Sequence, residues 1–590
     1  MKRHYISELV KKMFFMAFVT AVFTEFTQII ALTIDSIVIC SFLGESEIGA
    51  VGLSSPFFFL VGVPANCLGV GLLNVCTREM GRGKIESLNH RFSETVLFTL
   101  LAMGLANVLV FLTIPQIAIL FGARGNASSL QGLAQAYLYG LSFEVVPFVL
   151  LSVLTPIVIL DNGSSTSMLA SVAGGVANIV FDLIVIRNGW GLFGIGFGSS
   201  LSVVVSLLVI MSHFLKKAQV IRFVPTKIVW EDIAEVLRIG LPSSLHALAC
   251  MFRSLLLNLL AISLSGGIGV AVLSIHNTLM DFVDIVPVGI AGALGIVSGI
   301  SYGERNEEEI KMSGILAHFY ILCSSIAICF VLLVFAKPIG LIFLENQSAG
   351  FSLLGFDMRC IATTVPLGAL AYAWVSFLQA TGKEKDARRL EILSNLVFTL
   401  FFAVVLSMPF KIHGLFLAFP LAKACSLVYV YAKSVMSSRR IIPSVEDYLR
   451  LDSRFRPEEK DLISYPITSL EESSLSSEQI YLFCKGHKLS KKTAYTASLC
   501  LQEVADNIIL HNTGKGNVAE IRLVMEDAHL IIRIRDNGES FNMAELAKII
   551  SNTSDLTKNI GIRIIAGLAK DISYYRVYGM NTTILRIPAV

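Results

Sequence analysis

The stretch VAVLSIHNTLMDFVDIVP (270–287) continues as an apolar run to YGERN (302–306), and an earlier part of the chain repeats this pattern. IGAVGLSSPFFFLVGVP (48–64) also ends in a proline and runs on to GRGK (81–84). Pro64 and Pro287 lie 223 residues apart, and Gly81 and Gly303 lie 222 apart. Proline within an apolar run kinks a membrane helix. The repeat therefore predicts two related bundles of six helices with a solute path between them.

Twelve apolar runs of about 20 residues, the length that crosses a hydrocarbon core, precede Arg439 and Arg440. The mean hydropathy of +0.71, with 54% hydrophobic and only 15% charged residues, excludes a soluble protein. Lipid leaves backbone groups without partners, so each run is predicted to be helical, including a retained first helix. The approximate bounds are 14–40, 47–76, 92–113, 130–158, 166–187, 194–215, 236–264, 270–300, 312–335, 352–380, 390–410 and 413–434.

The placement of charge predicts the orientation of these helices. Basic residues collect on alternate loops, at 2–12, 78–91, 216–227, 305–311 and 383–389. By the positive-inside rule these loops face the cytoplasm, and so do both termini. A net charge of +3 is too small to indicate a nucleic-acid partner. Ten scattered cysteines indicate small buried hydrophobes rather than disulfides or a metal site.

Three separated stretches then carry a family resemblance: IDSIVICSFLGESEIGAVGLSSP (34–56), GVANIVFDLIVIRNGWGLFGIGFGSSLS (175–202) and VPVGIAGALGIVSGISYGERN (286–306). Together they resemble the multidrug and toxic compound extrusion family, over residues 14 to about 435. The resemblance implies a twelve-helix antiporter in a bacterial cell membrane. Such a protein exports drugs or other amphipathic organic solutes, mostly cations, against an inward flow of Na⁺ or H⁺.

Acidic residues within membrane helices are expensive and therefore functional candidates. Asn178 and Asp182 stand one turn apart on one helix face and can offer oxygens to a cation or hold a proton. The resemblance implies a coupling-ion site at Asp35, Asn178 and Asp182, with a hydroxyl from Ser199 or Ser200. The alternative is that Asn178 and Asp182 only bond neighbouring helices.

Three further acids, Glu25, Asp281 and Asp284, are candidates for binding a cationic substrate. For Asp281 and Asp284 the favoured alternative is an ion pair with Arg253, because a membrane arginine needs a partner. The second half also departs from the family pattern. Asn258 stands at the repeat position of Asp35 and lacks its charge, which argues against a second cation site.

The sequence becomes polar after Arg440. Residues 1–440 are predicted to form the transmembrane part, with halves at about 14–215 and 236–434. A linker at 441–460 leads to a domain at 461–590. Alternation predicts strands around 462–468, 518–527, 528–538 and within 571–588, and amphipathic periods predict helices at 476–490, 491–512 and 554–570. This order predicts a two-layer α/β sandwich.

EVADN (503–507) followed by His511 gives a polar stripe on one of these helices, and DNG (536–538) ends a strand. With Gly561 opening a later helix, these motifs resemble the GHKL ATP-binding fold, and most closely its serine-kinase anti-sigma-factor branch. The resemblance covers roughly 460–590 and implies ATP and Mg²⁺ as cofactors. The matched positions are Glu503 as base or water-positioner, Asn507 for Mg²⁺, His511, Asp536 for the adenine amino group, Gly538 for close approach of the base, Gly561 for phosphate, and Thr583 near the adenine.

Two departures from the family motifs weaken the prediction of ATP turnover more than the prediction of nucleotide binding. Ser540 replaces the second glycine of the DxGxG box, and Asn559 replaces a glycine of the lid motif. No GxxxxGK[ST] loop occurs, so an ATP-driven pump is not expected. Three readings remain. The tail is an ATP-binding regulator of an exporter; or it is a serine/threonine kinase acting on a small regulatory protein, with the membrane part as sensor; or the fusion only tethers two independent activities.

Overall fold

The structure is a computed structural model that describes residues 2–42, 50–51, 54, 56–120, 131–216, 219–344, 349–441, 449, 455, 457, 461–511, 519–526, 529–545 and 571–589. Side chains are described over the same ranges except at 2–7, 28, 31–42, 267, 349 and 511.

Up to residue 438 the described part of the chain is mostly apolar helix. Gly266, with φ +57° and ψ −141°, breaks the longest of these helices, Trp230–Gly303, into two spans. A π-helical turn at Leu393–Val397 joins the helices Glu384–Ile392 and Phe398–Phe410. The helices are α1 Lys2–Phe42, α2 Pro56–Gly81, α3 Ile85–Leu120, α4 Gln131–Ser142, α5 Val145–Leu160, α6 Ser164–Asn188, α7 Gly191–Ser212, α8 Trp230–Gly303, α9 Glu307–Val334, α10 Ala336–Phe343, α11 Ala349–Ala380, α12 Glu384–Ile392, α13 Phe398–Phe410 and α14 Ile412–Ser438.

Within the described residues, ten helices are long and apolar enough to cross a membrane, or eleven if the bent pair α4 and α5 forms one span. Helix α1, which coincides with the first predicted span, is not among them. Every one of the twelve predicted runs overlaps a helix of the structure. The predicted fold class of the transmembrane part is therefore confirmed.

The apolar interior of the transmembrane part is divided into two main cores. One lies in the second half, among residues from Leu257 to Phe419. The other is built mainly by the first half and continues along α8 from Ile290 to Ile300. This larger core also takes in side chains of the C-terminal tail. The tail is thus joined to the membrane part by shared apolar packing as well as by the chain.

The two halves meet at the repeated glycines. A Cβ built on Gly81 would lie 2.1 Å from the Ile300 carbonyl oxygen and 3.0 Å from the Gly303 Cα. One built on Gly303 would lie 2.2 Å from the Arg78 carbonyl oxygen. Only glycine lets two helix backbones approach so closely. The halves are therefore closed against each other at the end that carries the tail, called the tail side below.

Residues 461–589 are called the tail below, and the part of them that the structure describes forms the predicted two-layer sandwich. Its five antiparallel strands are β1 Leu462–Ile467, β2 Ala519–Glu526, β3 His529–Asp536, β4 Asp571–Val577 and β5 Met580–Pro588, in the order β1-β2-β3-β5-β4. Helices α15 Leu470–Gly486 and α16 Lys491–His511 cover one face. The predicted helix at 554–570 lies outside the described residues.

Strand alternation gives the sheet two different faces. On β3, Leu530, Ile532 and Ile534 pack under the tail helices. Their neighbours Arg533 and Arg535 point to the opposite face, which lies against the transmembrane part. The tail therefore uses one face for its own core and the other for docking.

The glycine contact between the halves gives a first prediction. We expect Gly81→Ala to lower the melting temperature in detergent, because the new methyl group meets a fixed carbonyl and overpacking costs about 1–3 kcal/mol. Gly104→Ala in α3 is the matched control, since nothing lies within 4 Å of that position and alanine favours the helix. Equal melting temperatures for the two variants would contradict a tight contact between the halves.

Candidate functional site

Helix α6 carries the predicted polar pair of the first half. Asn178 and Asp182 stand one turn apart and are both buried, Asp182 completely. A Cβ built on Gly198 would lie 3.8 Å from Asp182 Oδ1, so this carboxylate faces α7. A carboxylate and an amide are thus held together in an apolar helix bundle. A charged group is costly there, so this pair is a candidate functional site.

The hydroxyl beside this pair belongs to Ser202. Its Oγ lies 3.0 Å from Asn178 Oδ1. The two serines favoured by the sequence bond to main chain instead, Ser199 to the Ile195 carbonyl and Ser200 to the carbonyl of Gly140 on α4. The spacing within SSLS could have suggested Ser202, which shares a helix face with Ser199.

Helix α1, which carries Asp35, packs against α6. The side chain of Asp35 itself lies outside the described residues. Glu25 is half-buried on α1. In the described part of the chain, no group of three His, Cys, Asp or Glu side chains is arranged to hold a metal ion. Any cation at α6 would therefore rely on amide and hydroxyl oxygens beside one or two carboxylates.

In the second half, Asp284 accepts a hydrogen bond from the Tyr372 hydroxyl (3.0 Å), while Asp281 is exposed. Arg253, the expected partner of both acids, lies over the ring of Phe419, 5.8 Å from its centroid. Asp284 is therefore anchored to α11, and the substrate role of both acids stays a prediction.

A larger polar network in this half was missed in the sequence. Lys423 on α14 donates to Asn395 Oδ1 (2.6 Å) and Ser394 Oγ (3.1 Å), both in the π-helical turn. Glu391 lies beside Asn395 and 3.1 Å from His246 Nδ1. The available signal in the sequence was Lys423 itself, a lysine inside an apolar run. A second such pair, His276 with Asp357 (2.7 Å), is fully buried.

The tail brings together its two predicted helix residues. Asn507 Nδ2 lies 3.4 Å from Glu503 Oε1 on α16, as expected for neighbours one turn apart. Both are half-buried above the sheet. The side chain of His511 and the whole of Gly561 lie outside the described residues. An amide oxygen beside a carboxylate is a donor set that fits Mg²⁺.

Asp536 ends β3 and is held firmly in place. Its Oδ1 accepts from the Gly538 amide (2.8 Å) and from Asn581 Nδ2 (2.8 Å). Asn581, the register partner of Asp536 on β5, accepts in turn from the Tyr574 hydroxyl (2.8 Å). Thr583 is buried two residues further along the same face of β5. Sequence reading found Asp536, Gly538 and Thr583 but had no signal for the supporting role of Asn581.

The outer sheet face meets the transmembrane part through buried charge. Arg535 pairs with Glu304 Oε1 (2.6 Å) and with Glu309, and the Tyr575 hydroxyl donates to Glu304 Oε1 (2.6 Å). Asn306 accepts from the Glu309 amide (3.4 Å) as the N-cap of α9, which fixes that carboxylate in the first turn. Burial is the largest single influence on the pKa of Glu304 and would raise it, but Arg535, Arg533, Arg522 and the hydrogen bond from Tyr575 together hold that pKa below its usual value.

The MatE family model matches residues 20–184 and 242–424, well over half of the chain and once in each half. The chain belongs to the MatE family. The Histidine kinase-like ATPase domain model matches residues 480–587, so this MatE protein carries such a domain at its C-terminal end. Both resemblances read from the sequence are confirmed.

The MatE part is similar to curated bacterial proteins. It is 26% identical over 384 residues to the multidrug export protein MepA of Staphylococcus saprophyticus, covering 64% of this chain and 81% of that protein. A MepA of Staphylococcus aureus is 27% identical over 371 residues, covering 60% and 78%. The protein is thus a multi-pass membrane protein of a family with bacterial relatives.

Solved structures support the same fold. An outward-facing multidrug resistance MATE family transporter of the MOP superfamily matches with a TM-score of 0.67 at 24% identity, covering 71% of this chain and 94% of that one. A MOP superfamily transporter from Pyrococcus furiosus matches with a TM-score of 0.66 at 24% identity, covering 72% and 95%. At this identity the likeness shows the fold alone.

The docked face of the tail gives a pH-dependent prediction. Glu520 is buried on β2, and burial, reinforced by the Glu309 carboxylate, raises its pKa to about 7. An unfolded glutamate has a pKa of about 4.3, so between these values the folded protein holds a proton that the unfolded chain releases. The contribution of Glu520 to stability therefore falls as pH rises from about 4.3 to about 7. We expect Glu520→Gln to raise the melting temperature at pH 8 and to leave it nearly unchanged at pH 5.

Glu526→Gln on the same strand is the control, because Glu526 pairs with Arg305 at the half-exposed rim (3.0 Å). If the difference in melting temperature between Glu520→Gln and the unmodified protein is the same at pH 5 and at pH 8, the raised pKa of Glu520 is refuted.

Proposed function

We propose that the protein is an antiporter that exports drugs or other amphipathic organic solutes, coupled to Na⁺ or H⁺ entry. Membership of the MatE family and similarity to proteins named as multidrug exporters support this. The observation that carries it is the buried Asp182 beside Asn178, inside an apolar helix. A carboxylate there stabilises a bound cation or a proton, and it costs several kcal/mol otherwise.

The oxygens of Asn178, Asp182 and Ser202, with Asp35 from the adjacent helix, would form the coupling-ion site. Hard oxygen donors fit Na⁺, and a carboxylate alone serves for H⁺. Ser199 stays a candidate as the neighbour of Ser202, whose hydroxyl lies 2.7 Å from the Ser199 carbonyl oxygen. Glu25, Asp281 and Asp284 are proposed to attract a cationic solute along the path between the halves.

The tail side is proposed to face the cytoplasm of a bacterial cell, with both termini there. The clusters of basic residues in the loops at 78–91, 216–227, 305–311 and 383–389 support this orientation. We assign the domains as 1–440 for the transporter, 441–460 for the linker and 461–590 for the nucleotide-binding domain. Such an arrangement gives the tail access to ATP.

The tail is proposed to bind ATP with Mg²⁺ and to regulate the transporter. The family model supports a nucleotide site, and the fixed carboxylate of Asp536 supports its place. Asp536 would accept from the adenine amino group with Gly538 and Thr583 beside it. Asn507 would hold Mg²⁺, with His511 and Gly561 near the phosphates. When bound, Mg²⁺ would neutralise phosphate charge.

Kinase activity is the second candidate for the tail. The neighbouring Glu503 and Asn507 keep the pair that phosphoryl transfer needs, a base next to a metal ligand. In that case a small cytoplasmic regulatory protein would receive the phosphate and the membrane part would act as its sensor.

The transport proposal is tested in proteoliposomes loaded with ethidium under an imposed Na⁺ or pH gradient. Asp182→Asn and Asp35→Asn are expected to lower gradient-driven transport at least tenfold, because neither can hold a proton or balance a cation. Ser200→Ala is the control, since its hydroxyl donates to the main-chain carbonyls of Gly140 and Gly196. Unchanged ethidium movement in both Asp variants would end the coupling-site assignment.

The tail proposal is tested by binding of a fluorescent ATP analogue to the full chain. Asp536→Ala is expected to abolish binding, whereas Glu503→Ala should retain it. Phosphate release or transfer that disappears in Glu503→Ala would favour the kinase over a passive sensor. Binding that survives Asp536→Ala would contradict the adenine assignment.

A further inference from the structure

The outer face of the tail sheet contacts two loops that the internal repeat relates to each other. These loops, 81–84 in the first half and 303–306 in the second, are called the repeat loops below. Each follows the end of the corresponding helix in its half, α2 or α8. Because they occupy equivalent positions, they sit on opposite sides of the boundary between the halves.

Arg533 spans this boundary with a single guanidinium group. Its Nη2 donates to the Gly81 carbonyl oxygen (3.0 Å) and its Nη1 donates to the Glu304 carbonyl oxygen (3.1 Å). The side chain is 5% exposed. A planar guanidinium offers its donors in a fixed fork, so both carbonyls must stay close together for both bonds to exist.

Further contacts tie the sheet to each half separately. In the first half, Ser573 Oγ donates to the Gly83 carbonyl (2.7 Å), and the Gly579 amide, at the tip of the β4–β5 hairpin, donates to Asn162 Oδ1 (3.0 Å). In the second half, Arg522 donates to the Arg305 carbonyl (2.8 Å) and Arg535 pairs with Glu304. The sheet is therefore anchored on both sides of the boundary.

The contact is also well packed. Tyr575, Val577, Met580 and Ile584 are at most 2% exposed and belong to the same apolar core as the transmembrane helices. Such burial is typical of a stable interface rather than of an incidental touch. Release of the tail would expose this surface together with the charges of Glu304 and Arg535.

We propose that the docked tail is a lock, which holds the two halves closed on the tail side and must leave at least one half before that side can open. The inference rests on the proposed function, because a transporter built from two repeated bundles exposes its solute path to each side in turn as the bundles rock against each other. Opening the tail side separates the repeat loops, and Arg533 then cannot keep its hydrogen bonds to both the Gly81 and the Glu304 carbonyl.

The lock is tested first by a distance that involves neither ATP nor a transported solute. Lys84 and Glu308 are exposed at the tail-side ends of the two halves. Both are replaced by cysteine and spin-labelled in the full chain, in a background without native cysteines. With the tail intact we expect one short distance in lipid nanodiscs. Arg533→Ala combined with Arg535→Ala should add a population at longer distance.

Lys485→Ala combined with Lys491→Ala removes the same charge from exposed positions of the tail and should leave the distance unchanged. An identical single distance in the double-arginine variant and in the unmodified protein would overturn the lock. This outcome is independent of transport, so it is distinct from a failure of the proposed exporter.

A covalent test covers the case in which the double-arginine variant does not fold. One cysteine pair joins the tail to the first half at Arg82 and Arg586, which are in contact, and another joins it to the second half at Arg305 and Glu526. Both pairs are bridged with a reducible bis-thiosulfonate reagent. Ethidium transport should fall at least tenfold when both bridges are present and return after reduction. Full transport with both bridges intact would overturn the proposal.

Discussion

A carboxylate removed from water needs a cation, and Glu304 finds Arg535, 231 residues further along the chain. Both side chains are buried, with 2% of Glu304 and 8% of Arg535 exposed. A buried pair adds little net stability, but loss of one partner costs about 3–5 kcal/mol because the other charge remains. Its main effect is therefore on the register of docking. The sheet fits the membrane part in the one position where Glu304 and Glu309 meet Arg535.

Apolar packing supplies what the ion pair does not. The larger core runs from the first-half helices along α8 into Tyr575, Val577 and Ile584. Strand alternation permits this arrangement, because side chains on one face of the sheet pack under the tail helices and those on the other face remain available for docking. The nucleotide candidates and the docking residues consequently occupy adjacent positions on the same strands, with Asp536 next to Arg535 and Thr583 next to Thr582. Arg535 and Thr582 are themselves in contact (3.4 Å).

The sequence predicted much of this fold because its signals were local. Apolar runs of membrane length gave the helices, and the spacing of Pro64 and Pro287 gave the repeat. Period-two alternation gave the strands of the tail, and EVADN with DNG gave its family. What the sequence could not supply was long-range pairing. Nothing near Arg533 indicates that its partners are carbonyls at Gly81 and Glu304. The choice among Ser199, Ser200 and Ser202 depended on how α6 and α7 turn towards each other, and Lys423 became interpretable only beside the π-helical turn.

The two-faced sheet has a consequence for anyone who would study the tail by itself. Without the transmembrane helices, it would present Tyr575, Val577, Met580 and Ile584 to water. Arg533 and Arg535 would also lose their partners in the transmembrane part. An apolar surface of this kind drives association. The excised tail should therefore self-associate or stick to other proteins, and a solution assay on it would report a surface that the intact protein keeps covered. Biochemistry on the tail is best done with its membrane partner attached.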